Sequence, residues 1–398
     1  MRLDRYLEMV RYAAAWLAVA AVMLCLPLRA EAASSSEAPT RAPHAILMDA
    51  DTGAILLQRD ADTLVPPASM SKLMTLAVAF KAIKAGQLKL DDEFLMSEHA
   101  WRTGGAPSGT SAMFVPVNTK ATLEELIKGI TVQSGNDAAI AIAEGMAGSE
   151  AAFAKLMTDE ARRIGLPKST FRNPTGLYDP GHLMTVRELA LLARYIIHEY
   201  PQQYAYFGLR EFPYRKHKFF NRNPLLSLAI GVDGLKTGYV KESGYGMVAS
   251  AKQENRRLIA VVAGLPSAAE RKDETARLLE WGFKSFSEFT LFDAGEVVGE
   301  ARVWGGERFY VPLTGAAGPV TVLLPRATAN QRLRAEIRYQ KPLKPPIKKG
   351  ETVAVLKVTA ANDTINEVPL KAAEDVDRAG VVRRGLDSLF FRATRWIP

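Results

Sequence analysis

Pro66-Pro67-Ala68-Ser69-Met70-Ser71-Lys72-Leu73-Met74-Thr75 reads as the entry to a helix, and the fold of this chain turns on it. Proline fits the first turn of a helix and not its interior. The residues that follow, to Lys84, are rich in helix formers with apolar side chains at helical spacing. Ser69 is thus expected near a helix N-terminus, with Lys72 one turn on and on the same face. An unactivated serine is a poor nucleophile near neutral pH, and an adjacent amine activates it only when the neutral form of that amine is favoured. The positive end of a helix dipole and a second nearby cation both lower a lysine pKa. Lys236 is the candidate for that cation. Alone, S-x-x-K is a weak signal and reads as a solvent-facing Ser and Lys on an ordinary helix.

Upstream, Ala45 to Met48 and Ala54 to Leu57 flank Asp51-Thr52-Gly53, the pattern of a β-hairpin. Downstream, helical periodicity marks 123–132, 137–145, 151–164 and 185–198, and strand signals return at 246–251 and 258–264 before a closing helix at 275–286. Strands, then helices, then strands again predict a sheet flanked by helices. After about Phe289 short strand-like runs (297–298, 308–311, 320–324, 353–358) alternate with Gly/Pro turns, which predicts a small all-β sandwich.

The ends differ from this body. Arg2, Arg5 and Arg11 precede a nearly unbroken apolar run, Ala13 to Leu28, and then Ala30-Glu31-Ala32, which reads as a cleaved secretory leader over residues 1–33. The only cysteine, Cys25, lies within that run after the bulky Leu24 and not the small residue of a lipoprotein signal. The exported chain therefore has no thiol for a disulfide, a metal or a nucleophile. At the other end, helical spacing gathers Val382, Leu386, Leu389, Phe390 and Ile397, while Arg383, Arg384, Arg392 and Arg395 outweigh Asp387. Such a basic amphipathic helix fits the plane of a membrane, or the protein's own surface. The formal net charge of +8 suits any polyanion and chooses none. No H-E-x-x-H spacing and no phosphate-cradling glycine loop occurs, so no metal or cofactor is implied. His182, in Gly176-Leu177-Tyr178-Asp179-Pro180-Gly181-His182, reads as part of a structural loop.

Two further motifs, Ser134-Gly135-Asn136 and Lys236-Thr237-Gly238, occur once each and in order after Ser69-Met70-Ser71-Lys72. Each alone fits a turn or a strand end; their joint occurrence is far rarer than any one of them. The trio resembles that of penicillin-binding proteins and serine β-lactamases. Residues 67–75, Ser134-Gly135-Asn136-Asp137-Ala138 and Asp233-Gly234-Leu235-Lys236-Thr237-Gly238-Tyr239 are similar to the signatures of the low-molecular-mass, S11-type serine D-alanyl-D-alanine carboxypeptidases. The resemblance implies an α/β (α+β) transpeptidase-like fold over residues 40–287, a sandwich over 288–376 and an anchor helix over 380–398.

It also implies hydrolysis of the terminal D-Ala-D-Ala bond of peptidoglycan stem pentapeptides through a serine acyl-enzyme, and acylation by penicillins. Ser69 would attack and Lys72 take its proton. Ser134 would relay a proton to the leaving amine, and Asn136 would hold the substrate amide and orient Lys72. Backbone N–H groups of Ser69 and Tyr239 would form the oxyanion hole, and Lys236, Thr237 and Arg271 would bind the terminal carboxylate beside Gly238. Some relatives carry His where this chain has Tyr239. The implied partners are stem peptides, β-lactams and, through the tail, the periplasmic side of the cytoplasmic membrane, with no nucleic acid. Two rivals stand beside this reading. A class A β-lactamase would carry an E-x-x-L-N pattern near Arg172 to Gly176, which is absent. A wall-binding scaffold with a decayed site would not keep all three polar motifs.

Overall fold

The computed structural model of the chain describes residues 39–326, 333–360 and 365–380. The leader read at 1–33 lies outside them, as does the basic helix read at 380–398, Gly380 apart. The hairpin expected at the start is present: β1 (His44–Asp49) and β2 (Ile55–Arg59) pair antiparallel. The Asp49 carboxylate shapes the turn, accepting from Thr52 N at 2.8 Å and Thr52 Oγ1 at 2.7 Å. Three long strands from far along the chain, β3 (Val232–Val240), β4 (Gly244–Gln253) and β5 (Arg256–Leu265), extend it antiparallel in the order β2-β1-β5-β4-β3.

Alternate side chains of these strands enter different cores, as a period of two requires. Ile46, Met48, Val248, Ile259 and Val261 face one core; Leu47, Ala249, Leu258, Ala260 and Val262 face the other. Both faces are covered, which is why β4 and β5 read as continuous apolar runs and not as an alternation. Helices α1 (Lys72–Lys84), α2 (Glu98–Gly104), α3 (Leu123–Lys128), α4 (Asn136–Ala147), α5 (Glu150–Arg163) and α6 (Val186–Glu199) lie on the first side. Helix α7 (Ala268–Ser285) packs Leu278, Leu279 and Phe283 on the second. Helix α1 is buried almost all round, with Leu73, Leu76, Ala77 and Phe80 fully enclosed. It is the central helix of the domain, so the position of its first turn is fixed from every direction.

Three local readings change. The pattern at 123–132 is helical only to Lys128; a wider π turn over Gly129–Gln133 then delivers Ser134 at φ 65. The closing helix starts at Ala268, seven positions before Thr275 (275 − 268), because Ser267 caps it by accepting from Glu270 N at 3.1 Å. Strand β3 carries no strand signal of its own.

Beyond Ser285 the chain forms β6 (Phe286–Phe292), β7 (Gly299–Arg302), β8 (Tyr310–Gly315), β9 (Val320–Pro325), β10 (Arg334–Arg338), β11 (Thr352–Thr359) and β12 (Ile365–Ala372). Strands run β7-β8-β12-β11-β10 in one layer and β6-β9 in the other. Val311, Leu313, Val322, Leu324, Leu356, Val358 and Leu370 fill the space between them. The apolar pair Val297-Val298 precedes β7 and does not form part of it. Among the described residues, strand β12 pairs with β2 at Ile365 and Ile55.

Candidate active site

Pro67 leads into a one-turn 3-10 helix, Ala68–Ser71, that runs straight into α1. In a 3-10 turn, residues i and i+3 eclipse more closely than in an α-helix. Lys72 Nζ accordingly donates to Ser69 Oγ at 2.9 Å, and also to the Thr175 carbonyl at 2.5 Å. The turn is clamped from two sides. Gly176, at φ +78, lies so close that a Cβ there would sit 2.0 Å from the Ala68 carbonyl oxygen. Gly238 of β3 passes on the other side, where a Cβ would meet Pro67 O at 3.0 Å and Ala68 Cβ at 3.1 Å. Both positions need glycine because backbone approaches backbone there.

The remaining motif residues converge on this turn. Ser134 is 2% exposed, and its Oγ is buried without a hydrogen-bond partner. Asn136 opens α4; its Nδ2 donates to Thr110 Oγ1 at 2.9 Å and its Oδ1 has no partner. No hydrogen bond joins Asn136 to Lys72 among the described residues; the Thr175 carbonyl orients the amine instead. Asp137, fully buried, accepts from Met113 N at 2.8 Å and Ala138 N at 2.9 Å, pinning the Thr110–Val115 loop to α4. Burial pushes its carboxyl up, against those backbone donors.

Lys236 and Thr237, on β3, are 2% and 7% exposed. The strand is anchored by Asp233, which takes both Arg257 Nη groups at 2.7 Å and the Tyr204 hydroxyl at 2.5 Å. Tyr239 lies outward, its ring 4.3 Å from that of Tyr245, and the Arg271 guanidinium stands over Tyr245 at 5.6 Å. Arg271 therefore belongs to the first turn of α7 and not to solvent: its Nε is buried without a partner. Ser69, Ser111, Ser134, Arg222, Thr237, Gly238, Tyr239, Tyr245 and Arg271 together line a cleft of about 450 Å³.

Among the described residues no carboxylate lines this cleft, and its cations perturb one another. Burial holds Lys72 well below the ordinary lysine value of 10.5, and the charges of Lys236 and Arg222 push it the same way. Lys236 is lowered to about 7, by burial first and then by Arg222 and Arg271. Burial also lowers Arg222 and Arg271. As a neutral amine Lys72 can accept the Ser69 proton along the contact it now donates to. Unpartnered Oγ, Oδ1 and guanidinium groups around it are the mark of a site that completes its hydrogen bonds with a bound molecule.

Sequence reasoning did not single out Thr110, Ser111, Thr175, Arg222 or Tyr245. His182 is buried and neutral, lowered to about 4 by burial; its Nδ1 accepts from Arg172 N at 3.4 Å and its ring meets Phe171 edge-on. Among the described residues no hydrogen bond joins it to a motif side chain, although the charge of Lys72 adds to the lowering. More consequential is Asn173, whose Oδ1 accepts from Thr175 N at 3.1 Å, Thr175 Oγ1 at 2.9 Å and Gly176 N at 2.7 Å, while Nδ2 donates to Leu177 O at 2.9 Å. One side chain thus shapes the loop that presents the Thr175 carbonyl to Lys72. We expect Asn173→Ala to slow acylation roughly 10- to 100-fold, the kinetic equivalent of one or two lost buried hydrogen bonds. Asn173→Asp keeps the triple acceptor but replaces the donor to Leu177 O with a carboxylate oxygen, and should recover only part of the rate. Stopped-flow labelling with a fluorescent penicillin measures both.

Residues 31–267 match the D-alanyl-D-alanine carboxypeptidase family, and residues 286–378 match the C-terminal domain of penicillin-binding protein 5. The chain is 37% identical over 380 residues to D-alanyl-D-alanine carboxypeptidase DacC of Escherichia coli (strain K12), covering 94% of each. Among solved structures it resembles penicillin-binding protein 5 from Haemophilus influenzae, with TM-score 0.71 and 34% identity over 85% of this chain and 98% of that one. It also resembles the ampicillin-bound penicillin-binding protein D2 of Listeria monocytogenes, with TM-score 0.55 and 28% identity over 61% of this chain and 98% of that one.

Proposed function

The chain belongs to the D-alanyl-D-alanine carboxypeptidase family, a serine-type family whose members act on peptidoglycan peptides and are acylated by penicillins, and from that premise we propose how its residues divide the work. Ser69 Oγ attacks the carbonyl between the two terminal D-alanines. Lys72 takes the proton. Ser134 passes a proton to the departing D-alanine amine, and Asn136 holds the amide of the acyl portion. The backbone N–H groups of Ser69 and Tyr239 receive the oxyanion, where each donor lowers the barrier by about 3 to 4 kcal/mol. Lys236, Thr237 and Arg271 take the terminal carboxylate, which returns charge to Lys236 on binding. The observation that carries this reading is the 2.9 Å contact between Ser69 Oγ and a fully buried lysine amine.

Incubating the purified protein with a stem pentapeptide tests it: free D-alanine should appear, and penicillin should label a peptide containing Ser69. Arg271→Gln should lower kcat/KM for a free-acid substrate roughly 10- to 100-fold, as expected for one charge-assisted hydrogen-bond partner. The variant should also lose most of the preference for the free acid over the C-terminal amide, which rate measurements on the paired peptides resolve. The apolar run at Ala13 to Leu28 and the basic tail support export to the periplasmic face of the cytoplasmic membrane with peripheral anchoring through 380–398. The division into a catalytic domain at 40–287 and a sandwich at 288–376 belongs to the same proposal.

A further inference from the structure

Beside the cleft stands a short antiparallel hairpin, Glu211–Tyr214 with His217–Phe220, turning at Arg215 and Lys216. Its base is tied down where Asn221 Nδ2 donates to Leu209 O at 2.8 Å. Its side is fixed to the cleft wall: the Phe114 ring stacks on His217 at 5.0 Å and on Phe219 at 6.2 Å. Phe114 lies three positions from the cleft-lining Ser111, whose carbonyl accepts from Asn136 N at 2.7 Å (114 − 111 = 3). Immediately after the hairpin, Arg222 lines the cleft itself. Hairpin and cleft thus form one continuous surface.

That surface is strongly cationic. Between positions 210 and 222 lie Arg210, Arg215, Lys216, Lys218 and Arg222, against the single acid Glu211. Glu211 pairs with Lys218 at 2.9 Å. Among the described residues no carboxylate pairs with Arg210, Arg215, Lys216 or Arg222, and the first three are exposed. Phe220, 65% exposed, lies under the Lys218 ammonium at 5.6 Å and adds an apolar face. A rigid, aromatic-backed row of cations next to a catalytic cleft suits a long anion whose end enters that cleft.

We propose that this hairpin is a docking ledge for polymeric peptidoglycan, binding the carboxylates of its stem peptides beyond the D-Ala-D-Ala terminus. The inference rests on the reading of the cleft given above. A short acylated tripeptide ending in D-Ala-D-Ala has one carboxylate, which the cleft takes on this reading; the polymer offers further carboxylates for the ledge.

The test compares the wild type with the triple variant Arg210→Gln/Arg215→Asn/Lys216→Gln. Asparagine is chosen at 215 because the backbone there has φ 52, a conformation asparagine tolerates. D-Alanine release is measured on the short peptide and on intact sacculi, together with co-sedimentation on sacculi in a Ser69→Ala background. Unchanged kcat/KM on the short peptide, with a loss of roughly tenfold on sacculi at low salt that closes near about 1 M salt, supports the ledge. Equal rates on sacculi for both proteins overturn it, and so does a parallel loss on both substrates. Reduced binding to phosphatidylglycerol vesicles with an unchanged rate on sacculi would assign the hairpin to a membrane instead. If the wild type releases no D-alanine at all, the reading of the cleft fails, and co-sedimentation alone then decides for or against the ledge.

Discussion

Ser69→Ala is expected to abolish covalent penicillin labelling and to lower D-alanine release by at least about 10⁴-fold, because removing a nucleophile leaves only binding and oxyanion stabilisation. The change should leave the fold intact. Ser69 Oγ is hydrogen-bonded to Lys72 and to no other group among the described residues, and the turn that carries it is held by backbone contacts with Gly176 and Gly238. Reversible binding of penicillin should survive, since Lys236 and Arg271 remain to take its carboxylate. Mass spectrometry of the intact protein after exposure to drug reads the first effect, and displacement of a fluorescent ligand reads the second. A covalent adduct on the variant would remove Ser69 from the mechanism.

Lys72→Met should cost about 10²- to 10⁴-fold in acylation, the range for loss of a general base, while keeping the buried apolar stem. It should also change how stability depends on pH. The Lys72 pKa lies well below 10.5 in the folded chain, and Lys236 is lowered to about 7. Between those folded values and 10.5 the unfolded chain therefore binds more protons than the native one. Stability of the wild type then rises with pH through that window, by up to about 1.4 kcal/mol per pH unit for each such lysine. Below the folded pKa values both states are protonated, and the cost of burying the charge is present in full. Urea titrations of Lys72→Met between pH 7 and 10 should show the rise reduced by one lysine's contribution. An unchanged slope would mean that the amine is not held neutral, and the proposed base would be lost with it.

The residues proposed for catalysis were more legible in the sequence than their supports, for a physical reason. The roles proposed for Ser69, Lys72, Ser134, Asn136 and Lys236 belong to side chains, so their chemistry has a residue type that can be read. Thr175 acts through its carbonyl, which every residue possesses, and only the glycine and asparagine beside it hint at its position. Strand β3 was missed because Val-Asp-Gly-Leu-Lys-Thr-Gly-Tyr-Val carries two glycines, an aspartate and a lysine, all poor strand formers. It is a strand because β4 pairs along its length and the nucleophile turn needs a flat, side-chain-free backbone beside it. The early start of α7 did have a sign, the Ser267-Ala-Ala-Glu270 cap, and it brings Arg271 into the cleft. The hairpin at 44–59 and the sandwich were legible because alternation and turn residues agree there with the final packing.

Among the described residues no carboxylate lines the cleft, and under the mechanism proposed above that should govern how long an adduct lasts. When a peptide is cut, the amine fragment drifts away and water can occupy the space it leaves, with Lys72 free to act a second time. A β-lactam opens without releasing anything, because its broken bond was part of a ring, and the tethered remnant stays over the face that water must approach. An enzyme with an acid placed on the opposite side could bring water in from there; among the described residues the polar side chains lining this cleft are cations and hydroxyls. Each molecule of drug should therefore silence one molecule of protein for far longer than a turnover, making the cleft a counter of antibiotic and not a consumer of it.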